Sequence, residues 1–160
     1  MATLSEFPLT TRLFLKAYPW RRIDPVPWAT LRRPLREARI ALVSTAGLSL
    51  PTQEPFDNDV RGGDWTFREI PADADPKLLI DSHRSESYDH GPVHADANIA
   101  LPIDRIRELA AEGVIGSVNH RHFSFMGSIT APGRLTARSA PVVADALEAD
   151  GVDAVLLVPI

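Results

Sequence analysis

The chain has 160 residues, 44% of them hydrophobic and 24% charged, with a net charge of −4. That suits one soluble globular domain with a sizeable core, and no stretch approaches the roughly 18 uninterrupted apolar residues that span a bilayer. Cysteine is absent, which excludes disulfides, thiolate metal sites and cysteine nucleophiles within these residues.

Residues 1–36 read as an irregular, basic, Pro/Trp-containing leader. It holds seven of the 17 Lys/Arg (Arg12, Lys16, Arg21, Arg22, Arg32, Arg33, Arg36) against Glu6 and Asp24 alone. No nucleic-acid fold motif accompanies the arginines, so the expectation is a basic arm on an acidic body, with no nucleic-acid and no membrane partner. The start of the chain lacks the basic region, apolar core and small-residue cleavage site of a signal peptide, and a cytoplasmic location is expected. One short helix is predicted near Thr11–Ala17. Pro19-Trp20 and Pro27-Trp28 interrupt anything longer, because proline removes a donor and fixes φ. Their indoles are expected to pack on the chain's own domain.

Residues 37–160 read as an α/β domain: a mostly parallel sheet with covering helices, open at its C-terminal strand and part of a larger domain. Ala38–Ser44 is the first strand and runs into the small-residue turn Thr45-Ala46-Gly47-Leu48, where backbone N–H groups can approach a ligand. Trp65–Ile70 alternates as a short strand would, and Lys77–Asp81 is a second candidate strand. The polar run Ser85–Asn98 has no hydrophobic periodicity and reads as a loop. Pro102–Glu112 is a helix with Ile103, Ile106, Leu109 and Ala110 on one face, Asp104 in its first turn and Gly113 as its stop. The last helix is predicted from Ser139 to Asp150, with Val142, Val143, Ala146 and Leu147 as its stripe. Ala154–Val158 is then a continuous apolar strand of the kind buried on both faces of a parallel sheet. Ligands in such sheets bind beyond the carboxyl ends of the strands.

The five histidines fall in two polar clusters. His90 and His94 have the spacing of one helical face, and Asp96 would complete a facial triad. Gly91-Pro92 between them breaks the helix this presupposes, so no metal site is assigned. In the second cluster an extended segment puts His120 and His122 on one face and Arg121 on the other. Ser124 lacks the Gly-x-Ser-x-Gly elbow of a hydrolase nucleophile. The inventory offers positioning and proton-transfer groups but no nucleophile and no cofactor loop. Loop histidines that only fix local conformation stand as an equal alternative.

Many ordered stretches carry a family likeness. They include Pro25-Val26-Pro27-Trp28, Ala38–Gly47, Gln53-Glu54-Pro55-Phe56-Asp57, Gly63–Ile70, Ser82-His83, Leu101–Ile106, Gly113–Gly116, His122–Gly127 and Gly151–Pro159. By these the sequence resembles the selenoprotein B component of the glycine, sarcosine, betaine and D-proline reductases. The resemblance implies a selenocysteine directly after the final strand, followed by Pro-x-x-Cys. This chain departs from that pattern by stopping there, and the expectation is an N-terminal piece cut at the selenocysteine codon and inactive alone. The implied reaction is reductive cleavage of a carbon–nitrogen bond next to a carboxylate in glycine, sarcosine, betaine or D-proline type substrates. The implied partners are a pyruvoyl-bearing subunit and a dithiol reductant system, with no cofactor held by this chain itself. His83, His94 and His122 are then candidates for proton transfer or for holding the substrate carboxylate, with Thr45, Gly47, Asp89, Asn98 and Ser124 as substrate-binding candidates. Two other readings remain open: a non-catalytic substrate- or partner-binding module, and a metal-dependent hydrolase on the His90/His94 loop.

Overall fold

A computed structural model describes residues 4–19, 22–85 and 87–160. The chain divides into two compact units, Met1–Thr30 and Leu31–Ile160. In the first, a 3₁₀ turn Leu4–Glu6 precedes helix α1, Leu9–Ala17. Leu9, Leu13 and Phe14 on α1 are exposed, and so is the Trp28 indole, at 86%. Trp20 and Arg21 lie outside the described residues.

The second unit is built on strand β1, Arg39–Ser44. Two antiparallel pairs lie outside its parallel ladder. β2 (Leu48–Ser49) pairs with β4 (Ile80–Asp81), and β3 (Phe67–Pro71) pairs with β6 (Arg121–Phe125). The other strands are β5 (Ser117–Val118) and β7 (Ala154–Val158), and β5, β6 and β7 all run parallel to β1. β7 pairs along Ile40–Ser44, so β5 and β6 share the other edge, at Arg39–Ile40 and at Val43–Ser44. The sheet is mostly parallel, as the sequence predicts.

Helices cover both faces. Ile40 and Leu42 belong to a core with Val93, Ile103 and Ile106, whereas Ala41 packs with Phe123, Val143 and Leu147. Val93 comes from α2 (His90–Ala95), Ile103 and Ile106 from α3 (Ile103–Ala111), and Val143 and Leu147 from α4 (Ala140–Ala149). Because β1 is buried on both sides, its residues read as an unbroken apolar run. α3 stops at Gly113, whose φ of +71° supplies the left-handed turn past a helix end.

Four expectations need correction. Most of Lys77–Asp81 is not strand. Pro76–Leu78 forms a 3₁₀ turn capped by Asp75, whose side chain accepts the Lys77 N–H, and only Ile80–Asp81 pairs. The run Ser85–Asn98 contains α2, because Pro92 falls in its first turn, where the missing N–H has no helical partner to lose. The last helix begins before Ser139, with a π-helical turn over Leu135–Ser139 just ahead of Pro141, and Val142 points outward. Finally, β7 departs from the buried strand that its apolar run suggests and agrees with the sheet being open at its C-terminal strand: Leu156 is half exposed and Leu157 67% exposed. Among the described residues β7 has β1 as its one strand partner, so it is an edge, and apolar sequence alone does not supply a neighbour.

At the amino-terminal end of the sheet, Asp150 receives Arg121 Nε at 2.8 Å, Arg121 Nη2 at 2.9 Å and Asn119 Nδ2 at 3.0 Å. His120 Nε2 also approaches it, at 3.8 Å. His120 precedes β6 rather than alternating within it, so His120 and Arg121 converge instead of facing apart. The Arg121 hydrogen bonds hold the Asp150 carboxyl down at about 2, below its usual 3.8. This contribution to stability is present above pH 3.8 and disappears as the pH falls through about 2. Asp150→Asn should therefore lower the melting temperature at neutral pH and shrink the stability loss between about pH 4 and 2, followed by circular dichroism across that range.

Candidate functional site

The turn after β1 places the first site residues. Gly47 has φ +66°, and a Cβ there would stand 3.2 Å from the His83 main-chain nitrogen. Its carbonyl accepts the Ser82 N–H at 3.1 Å, tying the end of β4 to this turn. Thr45 Oγ1 accepts the Ile160 N–H at 2.8 Å and donates to the Ile160 carbonyl at 3.2 Å. The segment leaving β7 is thus held on both sides of one residue by one hydroxyl.

His83 closes this group. Its Nδ1 accepts the Ser85 N–H at 3.3 Å, which leaves the proton on Nε2 in the neutral ring. That Nε2 is buried and has no hydrogen-bond partner among the described residues. It lies 2.5 Å from the point where a Cβ on Gly127 would stand. The Thr45 carbonyl is 2.8 Å and the Ile160 carbonyl 3.1 Å from the same point. Gly127 therefore lets three chain segments close in on one point, where even a methyl group would clash. Burial lowers the His83 pKa, with His90 adding to the shift and Asp81 opposing it.

The other proposed residues separate from this group. His122 is 0% exposed, and its Nδ1 accepts the Leu42 N–H at 3.2 Å. Leu42 falls between the segments of β1 that pair with β5 and with β6, so the imidazole fills a gap in the ladder. Burial, aided by the Arg107 charge, pushes the His122 pKa down to about 4. Ser124 is equally buried and accepts the Leu48 N–H at 2.8 Å. Asp89 caps α2 through the Gly91 N–H, and Asn98 accepts the Asp104 N–H at 2.9 Å at the start of α3. These four sit in structural hydrogen bonds rather than against Gly127. Asp96 caps the 3₁₀ turn Ala97–Ile99, through Asn98, and does not join His90 and His94. His94 instead approaches Asp81 Oδ2, at 3.4 Å.

Sequence reasoning missed Asp81, Tyr88 and the role of Gly127. Tyr88 packs edge-on between His83 (centroids 4.6 Å apart) and His90 (4.7 Å). The available signal was Asp81-Ser82-His83 itself, a carboxylate and an imidazole two residues apart at a strand end.

Fold and site together define an α/β domain in which the segments after β1, β4, β6 and β7 meet beside the carboxyl end of β1. The chain belongs to the glycine/sarcosine/betaine reductase selenoprotein B family, which it matches over residues 8–159. It is 36% identical to the D-proline reductase subunit gamma of Acetoanaerobium sticklandii, over 84% of this chain and 54% of that protein. It is 31% identical to the glycine reductase complex component B subunit gamma of Carboxydothermus hydrogenoformans, over 90% of this chain and 33% of that protein. Identity to the betaine reductase complex component B subunit beta of Peptoclostridium acidaminophilum is 27%, over 90% and 33%. The chain thus spans about half the length of the first relative and a third of the others. No solved structure matches it. Among the described residues no helix is long and apolar enough to cross a membrane.

The buried imidazole of His122 yields a prediction. Its pKa is lower in the folded chain than the ordinary 6.5, so its contribution is complete above pH 6.5 and declines as the pH falls toward about 4. His122→Leu should remove that slope. It should also cost about 1–3 kcal/mol at pH 7 by orphaning the Leu42 N–H, measured by urea unfolding.

Proposed function

We propose that this chain forms the N-terminal portion of a subunit of a selenocysteine-dependent reductase, one that cleaves a carbon–nitrogen bond next to a carboxylate in a small amino acid or amine. The observation that carries the reading is the convergence of Thr45, His83 and Gly127 around the main chain of Ile160. The selenocysteine that the resemblance puts after Ile160 supplies a nucleophile that is ionised at neutral pH, as low-pKa thiols are. The residues present suit such a group: Gly127 lets the Thr45 main chain and the His83 ring close in on Ile160, and the buried His83 Nε2–H there has no partner among the described residues. Thr45 fixes the strand exit, His83 donates a hydrogen bond to the substrate carboxylate, and Gly47 holds His83 at the edge. The proposed partners are a pyruvoyl-bearing subunit and a dithiol reductant system, and residues 1–160 alone are inactive.

A second reading, a non-catalytic partner-binding module, draws on the apolar groove of about 370 Å³ between α3 and β7, lined by Ile106, Leu109 and Leu156. Coding DNA separates the two. A UGA after the Ile160 codon, continued in frame by Pro-x-x-Cys, is expected for the reductase, whereas UAA or UAG with no downstream frame overturns it. In the full-length protein assembled with its partner subunits, His83→Phe should raise KM roughly 10- to 100-fold. That corresponds to a lost hydrogen bond to a charged group, about 1.5–3 kcal/mol.

A further inference from the structure

We propose that Asp81, His90 and His94 bind one first-row divalent transition-metal ion of the zinc or ferrous type. One ligand atom from each of the three lies within 4.8 Å of the others. His90 and His94 are one turn apart on α2 and present their rings on one face, with centroids 5.9 Å apart. Asp81 reaches them from the end of β4, its position fixed by pairing with Leu48. Its Oδ2 stands 2.6 Å from His90 Nδ1 and 3.4 Å from His94 Nε2. Metal–nitrogen and metal–oxygen bonds of about 2.0–2.2 Å in a tetrahedron separate ligand atoms by about 3.3 Å. The His94 distance already meets that value, and the His90 contact has to open by a fraction of an ångström.

The electrostatics favour a cation. The Asp81 side chain is only 1% exposed, and a buried carboxylate is costly unless its charge is matched. Among the described residues the basic groups within ion-pair distance of it are the imidazoles of His90 and His94, with no Lys or Arg. Two imidazoles sharing one carboxylate oxygen make a ready chelate. The carboxylate is oriented from behind, since its Oδ1 accepts the His83 N–H at 2.8 Å, the outer-shell contact that metal-ligating carboxylates use. His94 faces solvent, its side chain 64% exposed. Three protein ligands and an exposed side are the arrangement of a site with a free coordination position rather than a closed structural one. Two nitrogens and one oxygen suit zinc or ferrous iron and disfavour magnesium and calcium, which take oxygen. This proposal does not depend on the reductase reading.

The test uses the whole chain, stripped with chelator and titrated calorimetrically with Zn(II), with Fe(II) under argon, and with Mg(II). Co(II) serves as a visible-absorption probe. One equivalent of Zn(II) or Fe(II) per chain, visible Co(II) ligand-field bands and no Mg(II) uptake are expected, the tighter of Zn(II) and Fe(II) naming the metal. His94→Ala changes a solvent-facing ring and should leave the circular dichroism spectrum intact. It should also weaken binding beyond the roughly 10- to 100-fold typical of outer-shell changes. Failure of the native chain to take up either metal, or wild-type affinity in His94→Ala, overturns the proposal.

Discussion

The main-chain ladder of β1 is the constraint on which the rest depends. A strand covered on both faces must satisfy every N–H and C=O within the protein, because water cannot reach them. β7 does this along one edge of β1, while the other edge is split between β5 and β6. The split leaves the Leu42 N–H to a side chain, and His122 takes it. A neutral ring is needed for that bond, and burial keeps it neutral. Cover on both faces thus creates the gap and also supplies the group that fills it.

The carboxyl end of the same ladder sets the site. Once β1 ends, the chain turns through Gly47 in a left-handed conformation that lets the end of β4 approach. The Ser82 N–H bonds to Gly47, which brings Asp81 and His83 beside the strand ends together. Asp81 turns toward α2 and His83 toward Gly127 and Ile160. Two chemically distinct groups two residues apart are therefore positioned by one turn. A disturbance at Gly47 reaches both.

What the sequence made legible follows from periodicity. β1, a short continuous apolar run, and α3, with a strong 3.6 period, stand within a residue or two of their expected bounds. α2 has no pattern long enough to see: six residues, one buried side chain (Val93) and a Gly-Pro pair that looks like a breaker. Its stability comes from the Asp89 cap and from tertiary packing, neither of which a polar run announces. The same ambiguity affected the site. Asp89, Asn98 and Ser124 are acceptors at junctions between elements, and the residue types that cap a helix are those that bind a polar ligand. Thr45, Gly47 and His83 were identified from their place at strand ends, and there the geometry gathers them. Asp81 went unnoticed because a single acidic residue at a strand end carries no spacing signal until α2 folds over it.

The open edge of β7 has a practical consequence. A parallel sheet with an uncovered, apolar, uncharged outer strand is a template for adding further strands from any chain that collides with it. Val155–Val158 contains neither a charge nor an inward-pointing polar residue that would discourage this, and Pro159, just past the strand, is the first residue to interrupt further pairing. Preparations of residues 1–160 should therefore favour self-association at high concentration, and a lysine at Leu157 is the substitution of choice for keeping the chain dispersed.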